Sequence, residues 1–182
     1  DISNTDKLSI FADDMRRLDV TLLPPCINAS TADFSVQRAD DRLAVRYALG
    51  ALKGVGEGAM ETLCAERQAN VPFASIDDFA DRIGARLLNR RQIESLAGAG
   101  AFDSIEPQRA GVFQSAETII AVAGQAENAR VSGQGGLFGG EETSIAAVQL
   151  PNGAHWSLAE RMTQEKEAFG FYLSAHPVDR YR

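Results

Sequence analysis

Residues 49–56 read Leu-Gly-Ala-Leu-Lys-Gly-Val-Gly, and the Gly-Val-Gly step constrains the fold more than any other feature of the chain. Leu49 and Leu52 before it, and Met60, Leu63 and Arg67 after it, keep a helical rhythm on both sides. Gly54 and Gly56 permit a tight turn and leave backbone N–H groups unscreened by side chains. Val55 between them is expected to point inward and pin the flanking segments together. The next helix starts at once, so its free N–H groups and positive dipole end open onto the same spot. That spot suits a phosphate, with Lys53 adding a charge at the rim. A nucleotide-binding P-loop is a poor fit, because Gly56 is followed by Glu57-Gly58-Ala59 and not by Gly-Lys-Ser/Thr.

The pattern is that of a helix-hairpin-helix element, which holds the DNA backbone and does not read bases. Lys53, Gly54, Val55, Gly56 and Gly58 are its expected contacts. The plainer alternative is a glycine-rich turn that only packs two helices. A second hairpin is expected in tandem around Leu87-Leu88-Asn89, with Arg86, Arg90 and Arg91 making it basic. It lacks the Gly-apolar-Gly turn, so it reads as a structural partner first, with Arg90 and Arg91 as additional DNA contacts.

Charge narrows the possibilities. The 182 residues carry a formal net charge of −7, which argues against nucleic-acid binding through bulk charge. DNA binding must be local and assisted by other parts of a larger protein. With 45% hydrophobic residues the chain has enough for a core, yet no apolar run spans a bilayer and no signal peptide is visible. Cys26 and Cys64 have no metal-ligand spacing, and a reducing cytoplasm fits them better than a disulfide framework. The chain opens without Met and stops at Arg182, so a piece of a longer protein is expected.

The periodicity predicts a mainly α fold: tandem helix-hairpin-helix elements with flanking helices, a short strand and a flexible Gly-rich arm. Asp6 is the expected cap of a helix to about Leu18, with Leu8, Phe11, Met15 and Leu18 as its buried stripe. A short strand is expected over 20–23, an irregular polar connection over 31–41, and an extended segment or helix run-in at Leu43, Val45 and Tyr47. Helices are expected over 57–68, from Ser75 or Asp77 onward, after a capping box at Asn89 and Gln92, over 109–130, and over 157–169 closed by Gly170. Ser132 to Gly140 reads as a flexible connection. Asp13-Asp14, Asp40-Asp41 and Asp77-Asp78 read as solvated or capping pairs, since two-metal chemistry needs carboxylates held on a rigid frame. His155 and His176 are isolated, and Trp156 reads as a core anchor.

Several stretches together resemble the bacterial DNA polymerase III alpha subunit, a C-family replicative polymerase. Arg46 to Glu57 resembles its helix-hairpin-helix region. Leu88-Asn89-Arg90-Arg91, Glu94-Ser95-Leu96 and Gly100-Ala101-Phe102-Asp103 resemble the stretch on the C-terminal side of that region. Leu23-Pro24-Pro25 with Ile27-Asn28-Ala29-Ser30 resembles the stretch on its N-terminal side. Glu165 to Pro177 resembles the approach to an OB domain. The matches keep the family order; Cys26 stands where the family usually has Asp.

The resemblance implies a division into 1–38 (end of the fingers and connection), 39–130 (tandem hairpin DNA-binding domain), 131–153 (clamp-binding arm) and 154–182 (helix and lead-in to the OB domain). It implies no catalytic site, metal or cofactor in this segment, the palm with its Mg2+ lying upstream. It implies double-stranded DNA, the sliding clamp (beta subunit), the remaining polymerase domains and replisome subunits as partners, with no membrane and a cytoplasmic location. Gln134-Gly135-Gly136-Leu137-Phe138 fits the Gln-x-x-Leu-Phe pattern of clamp-binding peptides, with Gln134 hydrogen-bonding and Leu137 and Phe138 entering a pocket. The error-prone paralogue of the same family and a helical interaction scaffold without DNA binding are the alternatives; the intact clamp pattern favours the replicative form.

Overall fold

The computed structural model describes residues 2, 4–135 and 146–173, with backbone alone for 133–135. Helix α1 (Thr5–Arg17) begins before the expected cap: the Asn4 side chain, not Asp6, accepts from the Lys7 amide at 3.1 Å. Only Leu8 and Ala12 of this helix are buried. Phe11 (58% exposed) and Leu18 (74% exposed) leave the expected stripe, so only part of the apolar face of α1 is covered.

That strand, β1 (Thr21–Leu23), belongs to a three-stranded sheet with β2 (Ser35–Ala39) and β3 (Arg42–Arg46) in the order β1-β3-β2. β1 runs parallel to β3, with Leu22 opposite Val45, and β2 runs antiparallel, with Val36 opposite the same Val45. The stretch 31–41 is therefore not simply an irregular connection. Asp40 and Asp41 both take positive φ (48° and 63°), the left-handed conformation that a two-residue β-turn demands at its central positions. The acidic pair is the tip of a hairpin.

Past the sheet the chain is helical. A single 3₁₀ turn (Leu49–Ala51) leads to α2 (Glu57–Ala69), so the segment before the Gly-Val-Gly step is tighter and shorter than a full α-helix. Helix α3 (Ile76–Ile83) is capped by Ser75, whose hydroxyl accepts from the Asp78 amide at 3.1 Å. Helix α4 (Arg90–Gly98) carries the expected capping box of Asn89 and Gln92. The single helix expected over 109–130 is two: α5 (Arg109–Gln114) and α6 (Ala116–Gly135), broken at the buried Ser115. The change of direction lets α5 pack on α4 while α6 packs on α3. Helix α6 continues beyond Arg130, which pairs with Asp81 of α3 at 3.1 Å, so 132–135 are helical and not a loose connection. Helix α7 (Leu158–Phe169) has its own capping box, Ser157 and Glu160, and stops at Gly170 in the left-handed conformation (φ 83°).

The core lies between the hairpins and the last helix. Phe73, Phe79 and Phe102 stack edge-to-face in a chain with centroids 5.2 and 5.0 Å apart. Tyr47 meets Phe169 of α7 in the same manner at 4.8 Å. Trp156 packs edge-on against Phe113 at 5.3 Å and anchors the approach to α7. Arg109, largely buried, holds α7 in place: its guanidinium pairs with Asp103 at 2.7 Å and with the buried Glu165 at 2.9 Å. Among the described residues no helix is long and apolar enough to cross a membrane.

Candidate nucleic-acid interface

At the Gly-Val-Gly step the backbone is held from below and open above. Gly54 (φ 73°) and Gly56 (φ 84°) occupy positive φ, where a side chain would be strained. Val55 between them is fully buried. Gly54, Gly56, Glu57 and Gly58 are exposed. Their amides, and that of Ala59, donate to no acceptor among the described residues, and Gly56 as the N-cap of α2 supplies no side-chain bond. Gly58 has open space where a Cβ would stand. A groove of about 870 Å³ lies over this surface, lined by Lys53, Gly54, Val55, Gly56, Glu57 and Gln92 among others.

A third glycine brings the two sides of the turn together. A Cβ on Gly50 would lie 2.7 Å from the Ala32 carbonyl oxygen and 3.2 Å from the Glu57 Cα. Leu49 and Gly50 donate to the carbonyls of Thr31 and Ala32 at 3.0 and 2.9 Å, which bolts the 3₁₀ turn to the loop before β2. Arg67 is spent inside the protein, donating to the carbonyls of Ile27 and Ser30 at 2.7 and 2.8 Å. The basic position that closes the hairpin pattern is thus a structural brace.

The expected site residues part company around this turn. Arg91 at the start of α4 comes against the hairpin, its guanidinium 3.7 Å from where a Gly54 Cβ would be. Lys53 and Arg91 are exposed and have no ion pair among the described residues. Arg90 points elsewhere, to Glu94 at 2.6 Å and Glu117 at 2.7 Å. Those two carboxylates, Glu94 foremost, hold its guanidinium more firmly protonated than usual. Gln134 lies in the last turn of α6, where only the backbone is described, and Leu137 and Phe138 lie outside the described residues.

Three residues that sequence reading does not place in the site also meet the turn. Gln92 donates to the Val55 carbonyl, Ser95 donates to the Lys53 carbonyl at 2.9 Å, and Ala168 of α7 accepts from the Lys53 amide at 2.8 Å. The capping signal identifies Gln92 for its local role only. Contacts across 37 and 42 residues of chain have no local signature.

Amides without a partner at a helix start, two cations unpaired among the described residues and glycines in left-handed positions are the parts from which anion-binding turns are built. Among the described residues no group of three or more His, Cys, Asp and Glu side chains is placed to hold a metal ion. Asp13 and Asp14 pair with Arg16 and Arg17, Asp40 and Asp41 form a turn, Asp77 accepts from the Val148 amide, and Asp78 binds Arg82.

The family model described as the helix-hairpin-helix motif matches residues 19–112, and the chain belongs to that family. The likeness to bacterial DNA polymerase III alpha subunits extends along the whole chain. It is 43% identical over 179 residues to the DNA polymerase III subunit alpha of Caulobacter vibrioides, covering 98% of this chain and 15% of that protein. The subunit from Neisseria meningitidis serogroup B is 41% identical over 181 residues, covering 100% and 15%. That of Vibrio cholerae is 37% identical over 186 residues, covering 100% and 16%. The chain thus spans about 15% of the length of these relatives.

Proposed function

We propose that this chain is the part of a replicative DNA polymerase that grips duplex DNA by its phosphates, without reading sequence, and tethers the enzyme to the sliding clamp. One observation carries the DNA reading: the amides of Gly54, Gly56, Glu57 and Gly58 stand exposed and unbonded at the start of α2, beside Lys53 and Arg91. A phosphate oxygen accepts from such amides, and the helix dipole favours its charge. Lys53 and Arg91 neutralise neighbouring phosphates. Arg90, tied to Glu94 and Glu117, contributes less than its neighbour. With a net charge of −7, bulk charge does not hold the chain on DNA, so binding rests on local contacts such as this one. The polymerising chemistry and its Mg2+ belong to segments of such a polymerase outside this chain.

The test is duplex binding by the 182-residue chain at several salt concentrations. Affinity should fall with salt, by roughly 0.9 log units per log unit for each phosphate neutralised by a cation. Lys53→Ala should lower that slope by about one phosphate's worth, and Lys53→Glu should weaken binding further. Equal curves for wild type and Lys53→Glu would reject the site and favour the scaffold reading.

The tether reading is supported by the Gln134-x-x-Leu137-Phe138 pattern and by its place in the whole-chain likeness to the alpha subunits. Burying two large apolar side chains contributes about 1.5–3 kcal/mol each, and ordering a glycine-rich segment offsets much of it. Contact is weak alone and strengthened when DNA already holds the polymerase nearby. Purified clamp should bind the wild type more tightly than a Leu137→Ala/Phe138→Ala variant; matching titrations would end this reading.

A further inference from the structure

We propose that Gln92 and Ser95, three residues apart on α4, are positioning residues that aim the hairpin amides at the DNA phosphate. The inference rests on the duplex-backbone reading. A trans peptide group is planar, and its C=O and N–H point to opposite sides. Ser95 Oγ donates to the Lys53 carbonyl at 2.9 Å and draws that oxygen toward α4. The N–H of the same peptide group belongs to Gly54, so it is turned away from α4 and outward. Gln92 Nε2 donates to the Val55 carbonyl, and the N–H of that peptide group belongs to Gly56. One side chain therefore sets each of the two glycine amides.

The arrangement is needed because glycine resists it. Gly54 and Gly56 have the widest backbone freedom of any residue, and an untethered peptide plane beside glycine rotates readily. The two bonds spare a bound phosphate that ordering. Gln92 is itself fixed at both ends: its Oε1 accepts from the Asn89 amide at 2.7 Å while its Nε2 holds Val55. A side-chain amide carries acceptor and donor on one planar group, so both bonds are made at once. The capping box that starts α4 and the brace that orients the first hairpin are thus the same side chain. The Lys53 amide, bonded to Ala168 at 2.8 Å, completes the hold on the turn from α7.

The test measures duplex affinity, its salt slope and thermal stability for the 182-residue chain and three variants: Ser95→Ala, Ser95→Thr and Gln92→Met. Ser95→Ala and Gln92→Met should each weaken binding roughly threefold to tenfold, the range expected for one hydrogen bond. Their salt slopes should match wild type, because no cation is removed. Ser95→Thr keeps the hydroxyl and should restore what Ser95→Ala loses. In DNA-free protein, the Gly54 amide resonance should move with Ser95→Ala and the Gly56 resonance with Gln92→Met. Wild-type affinity in both variants, or a loss explained by their unfolded fraction alone, overturns the inference while leaving the duplex reading intact. Failure of the wild type to bind duplex even at low salt, where phosphate contacts are strongest, overturns that reading and this inference together.

Discussion

Two of the described corners, the Gly-Val-Gly turn before α2 and the turn before α4, treat the helix they open in opposite ways. At the first, α2 begins with Gly56 and no side-chain cap, so its leading amides have no partner among the described residues. At the second, α3 turns into α4 through residues 84–89, and every device is internal. Asn89 Oδ1 accepts from the Gln92 amide at 3.0 Å, Gln92 returns the bond, and Glu127 of α6 accepts from the Ala85 amide at 3.1 Å. Both corners have glycine at positive φ, Gly54 and Gly56 in one and Gly84 (φ 71°) in the other. Helix-start geometry is therefore common to both, while the identity of the cap decides whether it recognises anything. Under the proposed function, the corner closed by its own side chains supports and the corner left open receives the phosphate.

The largest expected effect comes from closing the open corner. Gly56→Val puts a β-branched side chain at φ 84°, which should cost about 1–3 kcal/mol of stability and screen the amides. Duplex affinity should fall by more than roughly tenfold, beyond the loss of any single bond. A folded Gly56→Val chain that binds DNA normally would break the contrast between the corners.

Removing the cap of the closed corner should do the reverse. Asn89→Ala should lower stability by about 0.5–2 kcal/mol, read as a lower melting temperature, and leave the salt slope of DNA binding unchanged. A reduced salt slope would show that the second corner also meets phosphate.

The smallest effect separates the corners by pH. Tyr47, just ahead of the first corner, is buried with a hydroxyl that has no partner among the described residues, and burial pushes its phenol well above the ordinary tyrosine range. The folded value exceeds the unfolded one, so its contribution is present below pH about 10 and is lost as pH rises further. Amide exchange above that pH should accelerate around Tyr47 and the 3₁₀ turn before it does around α4. Tyr47→Phe should remove this sensitivity and raise the melting temperature at neutral pH, since a buried hydroxyl without a partner destabilises. Unchanged alkaline exchange in Tyr47→Phe would discard the explanation.

Local chemistry makes much of this molecule legible from its residues. Gly-Val-Gly between apolar helical patterns announces the turn, and Asn89 with Gln92, Ser157 and Gly170 announce helix ends, because caps and turns are satisfied within a few residues. The β2 strand escapes such a reading because Asp40-Asp41 shows its charge in the sequence and not the positive φ it adopts. The stripe on α1 and the break at Ser115 escape for another reason: periodicity shows which face is apolar, not how many neighbours will cover it. Only the tertiary structure brought Arg91 to Gly54, tied Arg90 to Glu117, spent Arg67 on internal carbonyls, and set Gln92 and Ser95 beneath the turn. Those outcomes depend on distances between segments far apart in the chain, and spacing along a sequence carries no information about such distances until the core has packed.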